Sequence, residues 1–76
     1  MVEAPEPLRE FGARVRARRT ALGWSQENLG EAANMHWTAI SQLERAVRTP
    51  SLRTVARLAA ALQIDPAKLV KGIEPW

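Results

Sequence analysis

The sequence predicts an all-α fold, a compact bundle of five short helices. Three observations lead there. Apolar residues recur at the helical period throughout, and no run alternates as a strand would. Capping and breaking residues punctuate the chain at short intervals, which keeps each helix short. The links after the second, third and fourth helices are only a few residues long, so neighbouring helices must pack on one another. Seventy-six residues suffice for one domain, near the lower size limit for folding without staples.

The first helix is expected from about Pro7 to Leu22. Pro7 suits a first turn, where its missing N–H costs nothing. Leu8, Phe11, Val15 and Leu22 share a face, with a gap near the third turn flanked by Arg18 and Arg19. Gly23 supplies a left-handed end. Ser25 reads as the N-cap of a second helix, about Gln26 to Ala33, with Leu29, Ala32 and Ala33 inward. Asn34 tolerates the left-handed conformation and makes a sharp turn. The third helix runs from about Trp37 to Arg45 or Ala46 on a stripe of Ile40, Leu43 and Val47, with His36 at its N-cap. Pro50 breaks the chain and Ser51 caps a fourth helix, about Leu52 to Leu62. That helix carries Leu52, Val55, Leu58, Ala59 and Leu62 inward. Asp65 and Pro66 open a fifth that ends near Gly72.

Composition excludes several classes. There is no cysteine, hence no disulfide framework and no thiolate metal site. The single histidine, His36, has no second His at ligand spacing, so no metal or cofactor is expected. One His, no Cys, no Tyr and scattered carboxylates leave catalysis without a set of groups, and an enzyme is not expected. No apolar run reaches the ~20 residues of a membrane span. "MVEAPEPL" is acidic and Pro-rich, unlike a signal peptide. The chain opens on Met and carries no tag, so a complete small cytoplasmic protein is expected. No small-molecule ligand is expected.

Charge points to a partner. The chain has 11 Lys and Arg against 8 Asp and Glu, and three of the acids lie near its ends. From Leu8 to Lys71 the balance is 11 basic against 5 acidic, or +6, and nine of the basic residues are Arg. An Arg-rich basic domain suits a polyanion. The alternative is a well-solvated surface.

Ser25 to Arg45, "SQENLGEAANMHWTAISQLER", reads as helix, tight turn, helix. In a helix-turn-helix the second helix enters the DNA major groove. Such a unit needs small residues where its helices cross, and Gly30 and Ala33 supply them. It needs a sharp turn, and Asn34 supplies that. Opposite the anchoring Ile40 and Leu43 it needs groups that donate and accept hydrogen bonds. At 100° per residue Thr38, Gln42 and Arg45 lie about 140° to 200° from Ile40, with Ser41 to one side. Gln suits adenine and Arg suits guanine. No acid shares this face, because Glu44 turns toward the side of Ile40.

The run from Arg14 to Val70, with its Ser-Gln opening the second helix, its "ISQLER" and its Pro-Ser-Leu, resembles the Cro/CI-type (XRE) helix-turn-helix family, the lambda-repressor-like fold. The resemblance extends over about Leu8 to Val70. "MHWTAISQLER" is also similar to the recognition helices of restriction–modification controller proteins, small members that regulate their own operons. The resemblance implies a sequence-specific DNA-binding transcriptional regulator of prokaryotic or phage type, a repressor or controller. Gln26 matches a residue that contacts DNA or braces the recognition helix. Trp37, Thr38 and Ala39 match positions that meet base edges or phosphates, and Gln42 and Arg45 match contact positions further along. Arg48 and Thr49 match the loop that touches backbone, and His36 at the N-cap is placed to reach a phosphate. The family also pairs an Arg late in the first helix with the Glu of the recognition helix, here Arg19 and Glu44. Arg19 beside the stripe gap and Glu44 turned inward agree with that pairing.

Four positions depart from the family pattern. Gly30 stands for the usual Ala, an expected weakening of up to ~1 kcal/mol. Asn34 stands for the turn Gly. Ala46 stands for a Gly that often ends the recognition helix, which leaves that helix end open. Trp37 stands where Arg or Gln is common.

Leu69, Val70, Ile73 and Trp76 exceed what one small core requires, which suggests either a twofold dimer patch or a cap on the monomer's base. The organisation expected is therefore a tail over 1–6 and one domain over 7–76. Within it lie the helix-turn-helix at about 25–46 and a candidate dimerisation region over 64–76. Two copies about one helical turn apart would read a palindromic operator. A protein-interaction module, such as the antitoxin of a toxin–antitoxin pair, is the alternative on the same fold.

Overall fold

A computed structural model describes residues 5–73, so Trp76 and the first four residues of the expected tail lie outside the described residues. Among the described residues the chain forms five helices and no strand: α1 Glu6–Ala21, α2 Gln26–Ala33, α3 Trp37–Glu44, α4 Leu52–Leu62 and α5 Pro66–Val70. Glu6 opens α1, so it belongs to the helix and not to a tail. An acid in the first turn complements the helix dipole.

The predicted caps form. Ser25 Oγ accepts from the Asn28 N–H at 3.0 Å, and Asn28 Oδ1 accepts from the Ser25 N–H at 2.9 Å, a reciprocal box. Ser51 Oγ accepts from the Thr54 N–H at 3.1 Å, and Asp65 Oδ1 from the Ala67 N–H at 2.9 Å. Four helices end in one motif, in which a left-handed residue turns the chain and two backward N–H bonds close the last turn. The left-handed residues are Gly23 after α1, Asn34 after α2, Ala46 after α3 and Gln63 after α4. After α3 the bonds are Ala46 N–H to Leu43 O and Val47 N–H to Gln42 O. Ala46 therefore adopts the geometry of the Gly it replaces, with φ of 61°, and α3 stops at Glu44.

α1 packs on α3, α4 and α5, α2 packs on α3 and α4, and α4 packs on α5. The core is Phe11 and Val15 from α1, Leu29 and Ala33 from α2, Ile40 and Leu43 from α3, Leu58, Ala59 and Leu62 from α4, and Leu69 from α5. Leu22, Trp24, Met35, Val55, Ile64 and Ile73 pack around its rim.

Three inward assignments change. Val47 lies beyond the turn at Ala46, off the α3 stripe, and is exposed. Leu52 is 85% exposed. It is the first residue of α4 and lies roughly 60° off the centre of that helix's stripe. Ala32 is exposed, and Gly30 takes the buried place on α2.

Two glycines mark close crossings. A Cβ on Gly30 would lie 2.6 Å from Met35 O and 3.2 Å from Trp37 N, so the turn into α3 runs directly over this residue. Its cost in helix propensity is therefore offset by a tight helix-turn-helix. A Cβ on Gly12 would lie 2.5 Å from Leu43 O and 2.8 Å from Glu44 O, so α1 crosses the end of α3 backbone to side. Two arginines of α1 tie down other helix ends, where carbonyls lack partners. Arg18 Nε donates to Leu62 O at 2.9 Å, and Arg14 Nη1 donates to Lys68 O at 3.3 Å.

Candidate nucleic-acid interface

The close approach at Gly30 and the left-handed Asn34 set α3 across α2. α3 is then locked in rotation by its buried side. Ile40 and Leu43 are fully enclosed, and Ala39 is buried with them. Ala39 was expected among residues that meet DNA, and its burial removes it from that surface. Packing of α1 and α2 on two sides of α3 makes the enclosed arc wider than the apolar stripe alone.

The outward side carries Thr38 and Arg45, both exposed, with Ser41 and Gln42 half-buried beside them. Trp37 is 46% exposed at the leading end. His36, also exposed, caps the helix, its Nδ1 accepting from the Thr38 N–H at 3.2 Å. Arg45 Nε donates to Ser41 Oγ at 3.2 Å, and Arg48 Nη1 reaches Gln42 Oε1 at 3.5 Å. These contacts lay the long side chains along the helix surface. Arg48 and Thr49 are exposed in the loop to α4.

The acid of this helix is withdrawn from that side. Arg19 Nε donates to Glu44 Oε2 at 2.7 Å, and Arg19 Nη2 donates to Glu44 Oε1 at 2.9 Å. Arg19 Nη1 donates to Trp24 O at 2.7 Å. The Arg19 and Glu44 side chains are 11% and 3% exposed. The hydrogen bonds from Arg19 to the Glu44 carboxylate hold the guanidinium pKa above its ordinary value, against the opposing effect of burial. Gln26 Nε2 donates to Glu44 Oε1 at 3.2 Å. The structure thus sets Gln26 against Glu44 as a brace, joining α1, α2 and α3 at one carboxylate. The result is an outward surface of amide, hydroxyl and guanidinium groups with no carboxylate among them.

The suggested dimer residues do not stay together. Leu69 is fully buried in the core of its own chain, because α5 packs on α1 and α4, and it is withdrawn as an interface residue. Ile73 packs on the rim of that core, and Val70 is 41% exposed. Among the described residues no group of three or more His, Cys, Asp or Glu is placed to hold a metal ion, and no helix is long and apolar enough to cross a membrane.

Sequence reasoning missed the roles of Gly12, Arg14 and Arg18. Gly12 sits among core residues on the α1 stripe, one place after Phe11, a position that could have signalled a close crossing. The arginines offered no signal, because their partners are main-chain carbonyls 44 and 54 residues away.

Known proteins share this arrangement. A helix-turn-helix family model matches residues 15–69. Repressor protein C2 of Salmonella phage P22 is 41% identical over 62 residues, which cover 82% of this chain and 29% of the repressor. The chain thus spans less than a third of that repressor's length. A crystal structure of the P22 c2 repressor in complex with a synthetic operator superposes with a TM-score of 0.75 at 40% identity, covering 82% of this chain and 94% of that one. The restriction–modification controller protein C.AhdI from Aeromonas hydrophila superposes with a TM-score of 0.80 at 40% identity, over 82% of this chain and 94% of the controller.

Proposed function

We propose, for a chain that belongs to the XRE-type helix-turn-helix family, the function of a sequence-specific DNA-binding transcriptional regulator. One observation carries the reading. α3 is anchored by Ile40 and Leu43 and presents Thr38, Gln42 and Arg45 outward, while its one acid is neutralised by Arg19 inside. Such a helix enters the major groove, where the amide and guanidinium read base edges. Arg48, Thr49 and the Ser51-capped start of α4 meet the phosphate backbone, since a helix N-terminus favours negative charge. The P22 repressor solved with its operator, 40% identical to this chain, supports DNA as the partner.

One short helix reads few bases, so two copies on a palindromic operator complete the site. Val70 is an exposed large apolar residue of α5 that an interface between the copies would cover. Likeness to a controller protein supports a small regulator acting on its own operon. No catalytic step belongs to this reading.

Selection of bound sites from a random DNA pool tests it, followed by a mobility-shift titration of the selected site against random DNA. A palindrome and a strong preference for the selected site are expected. Equal affinity for both DNAs would overturn sequence-specific binding.

A further inference from the structure

The N-cap of α3 is a histidine, outside the usual Ser, Thr, Asp and Asn set. His36 Nδ1 accepts from the Thr38 backbone N–H at 3.2 Å and lies 2.8 Å from Thr38 Oγ1. A backbone N–H can only donate, so in this contact Nδ1 is the acceptor, the arrangement of the tautomer whose proton sits on Nε2. A bare nitrogen offers one lone pair, which the Thr38 N–H and hydroxyl share, the hydroxyl at the shorter distance. The Thr38 hydroxyl proton is then directed at His36, and Oγ1 keeps only lone pairs for a partner.

The cap of α4 makes a useful contrast. Ser51 Oγ also accepts from a backbone N–H, that of Thr54, and lies 3.0 Å from Thr54 Oγ1. Two hydroxyls can exchange donor and acceptor roles, so that pair has no fixed direction. The imidazole cannot exchange roles while it caps the helix.

We propose that His36 is a positioning residue that sets the hydrogen-bond polarity of Thr38. It makes Thr38 an acceptor at the leading end of α3. Thr38 then selects a base that presents a donor in the major groove, adenine N6 or cytosine N4, over the acceptors of guanine and thymine. An unconstrained Thr pairs with either kind. The inference rests on α3 being the recognition helix and adds what its first hydroxyl reads.

The test compares base preferences, by selection from a random DNA pool, for the wild type, Thr38→Val, His36→Ala and His36→Asn. Thr38→Val identifies the position Thr38 reads, because preference is lost there. At that position the wild type is expected to favour adenine or cytosine by roughly 2- to 10-fold, the worth of one hydrogen bond. His36→Ala frees the hydroxyl and should flatten that one position while the others keep their preferences. His36→Asn supplies a side-chain oxygen that accepts from both Thr38 groups, and should restore the preference. A purely structural role for His36 would weaken every position together, and that result would overturn the proposal. So would a wild-type preference for guanine or thymine there. Selection with an unchanged His36→Ala profile would overturn this proposal alone, whereas a wild type that selects no sequence would overturn the operator reading with it. Nitrogen-15 shifts of the imidazole give a DNA-free readout: a protonated Nε2 is expected, and a proton on Nδ1 would refute the polarity argument.

Discussion

Replacing Arg19 by Ala should unfold this protein more readily than any other single arginine truncation on α1. Arg19 makes two bonds to the Glu44 carboxylate and a third to Trp24 O. The forked geometry is the strong form of the ion pair. With side chains only 11% and 3% exposed, water and salt screen the pair weakly. Removing one partner of such a pair costs about 3–5 kcal/mol, mostly because the other charge is stranded. Glu44 keeps its bond from Gln26, which favours the lower end of that range. A domain of this size has a total stability of roughly 4–11 kcal/mol. At about 4–8 °C per kcal/mol, Arg19→Ala should lower Tm by more than ~12 °C. Arg16→Ala is the control: Arg16 is exposed, and such a change stays within about 0.5 kcal/mol. Thermal unfolding followed by circular dichroism compares the two, and equal Tm values would refute the argument. The double variant Arg19→Met with Glu44→Leu separates stranded charge from lost packing, because it removes both charges and should recover most of the loss. Arg19's pKa is raised in the folded state, so its contribution is fully present below the ordinary arginine value and is lost only in strongly alkaline solution. The Tm gap between wild type and Arg19→Ala should therefore hold across about pH 6 to 9.

Other outcomes follow from the same geometry. Gln42→Ala and Arg45→Ala should each cost roughly 1–3 kcal/mol on the selected site with little loss on random DNA, measured by mobility shift; parallel losses on both DNAs would exclude base readout by these residues. Gly12→Ala would stabilise an open helix by ~1 kcal/mol, but its Cβ meets two carbonyl oxygens inside 3 Å, so overpacking of about 1–3 kcal/mol should dominate and Tm should fall. A raised Tm would show that α1 and α3 can separate without cost. Leu69→Ala should destabilise the monomer by about 2–5 kcal/mol. Val70→Asp should leave Tm nearly unchanged while sedimentation shows fewer dimers, and an unaltered dimer population would remove Val70 from the interface.

Much of the architecture is legible in the chain because its causes are local. Ser25, Ser51 and Asp65 cap the helices they precede, since a side-chain oxygen needs only the next turn's N–H groups. The rotation of α3 follows from Ile40 and Leu43, and with it the outward setting of Thr38 and Arg45. The turn at Asn34 follows from the backbone tolerance of one residue type. Ala46 is the exception: the chain left the end of α3 open there, and the structure shows a left-handed turn closed by the Ala46 and Val47 N–H groups.

The sequence by itself therefore determined where the helices run, how they are capped and which way each faces around its own axis. Tertiary structure alone decided what lies opposite each face. Periodicity cannot tell that Leu69 is enclosed by α1 and α4, or that Ala39 is buried beside Ile40 and Leu43. Nor can it tell that Gly12 and Gly30 are small because a carbonyl passes within 3 Å of where a side chain would begin. Burial and close approach depend on a second element placed by distant residues, and a local pattern carries no record of that placement. The Thr38 hydroxyl is the finest case. Its outward face is written in the helical repeat, but its polarity depends on which nitrogen of His36 is bare, and only the folded geometry fixes that.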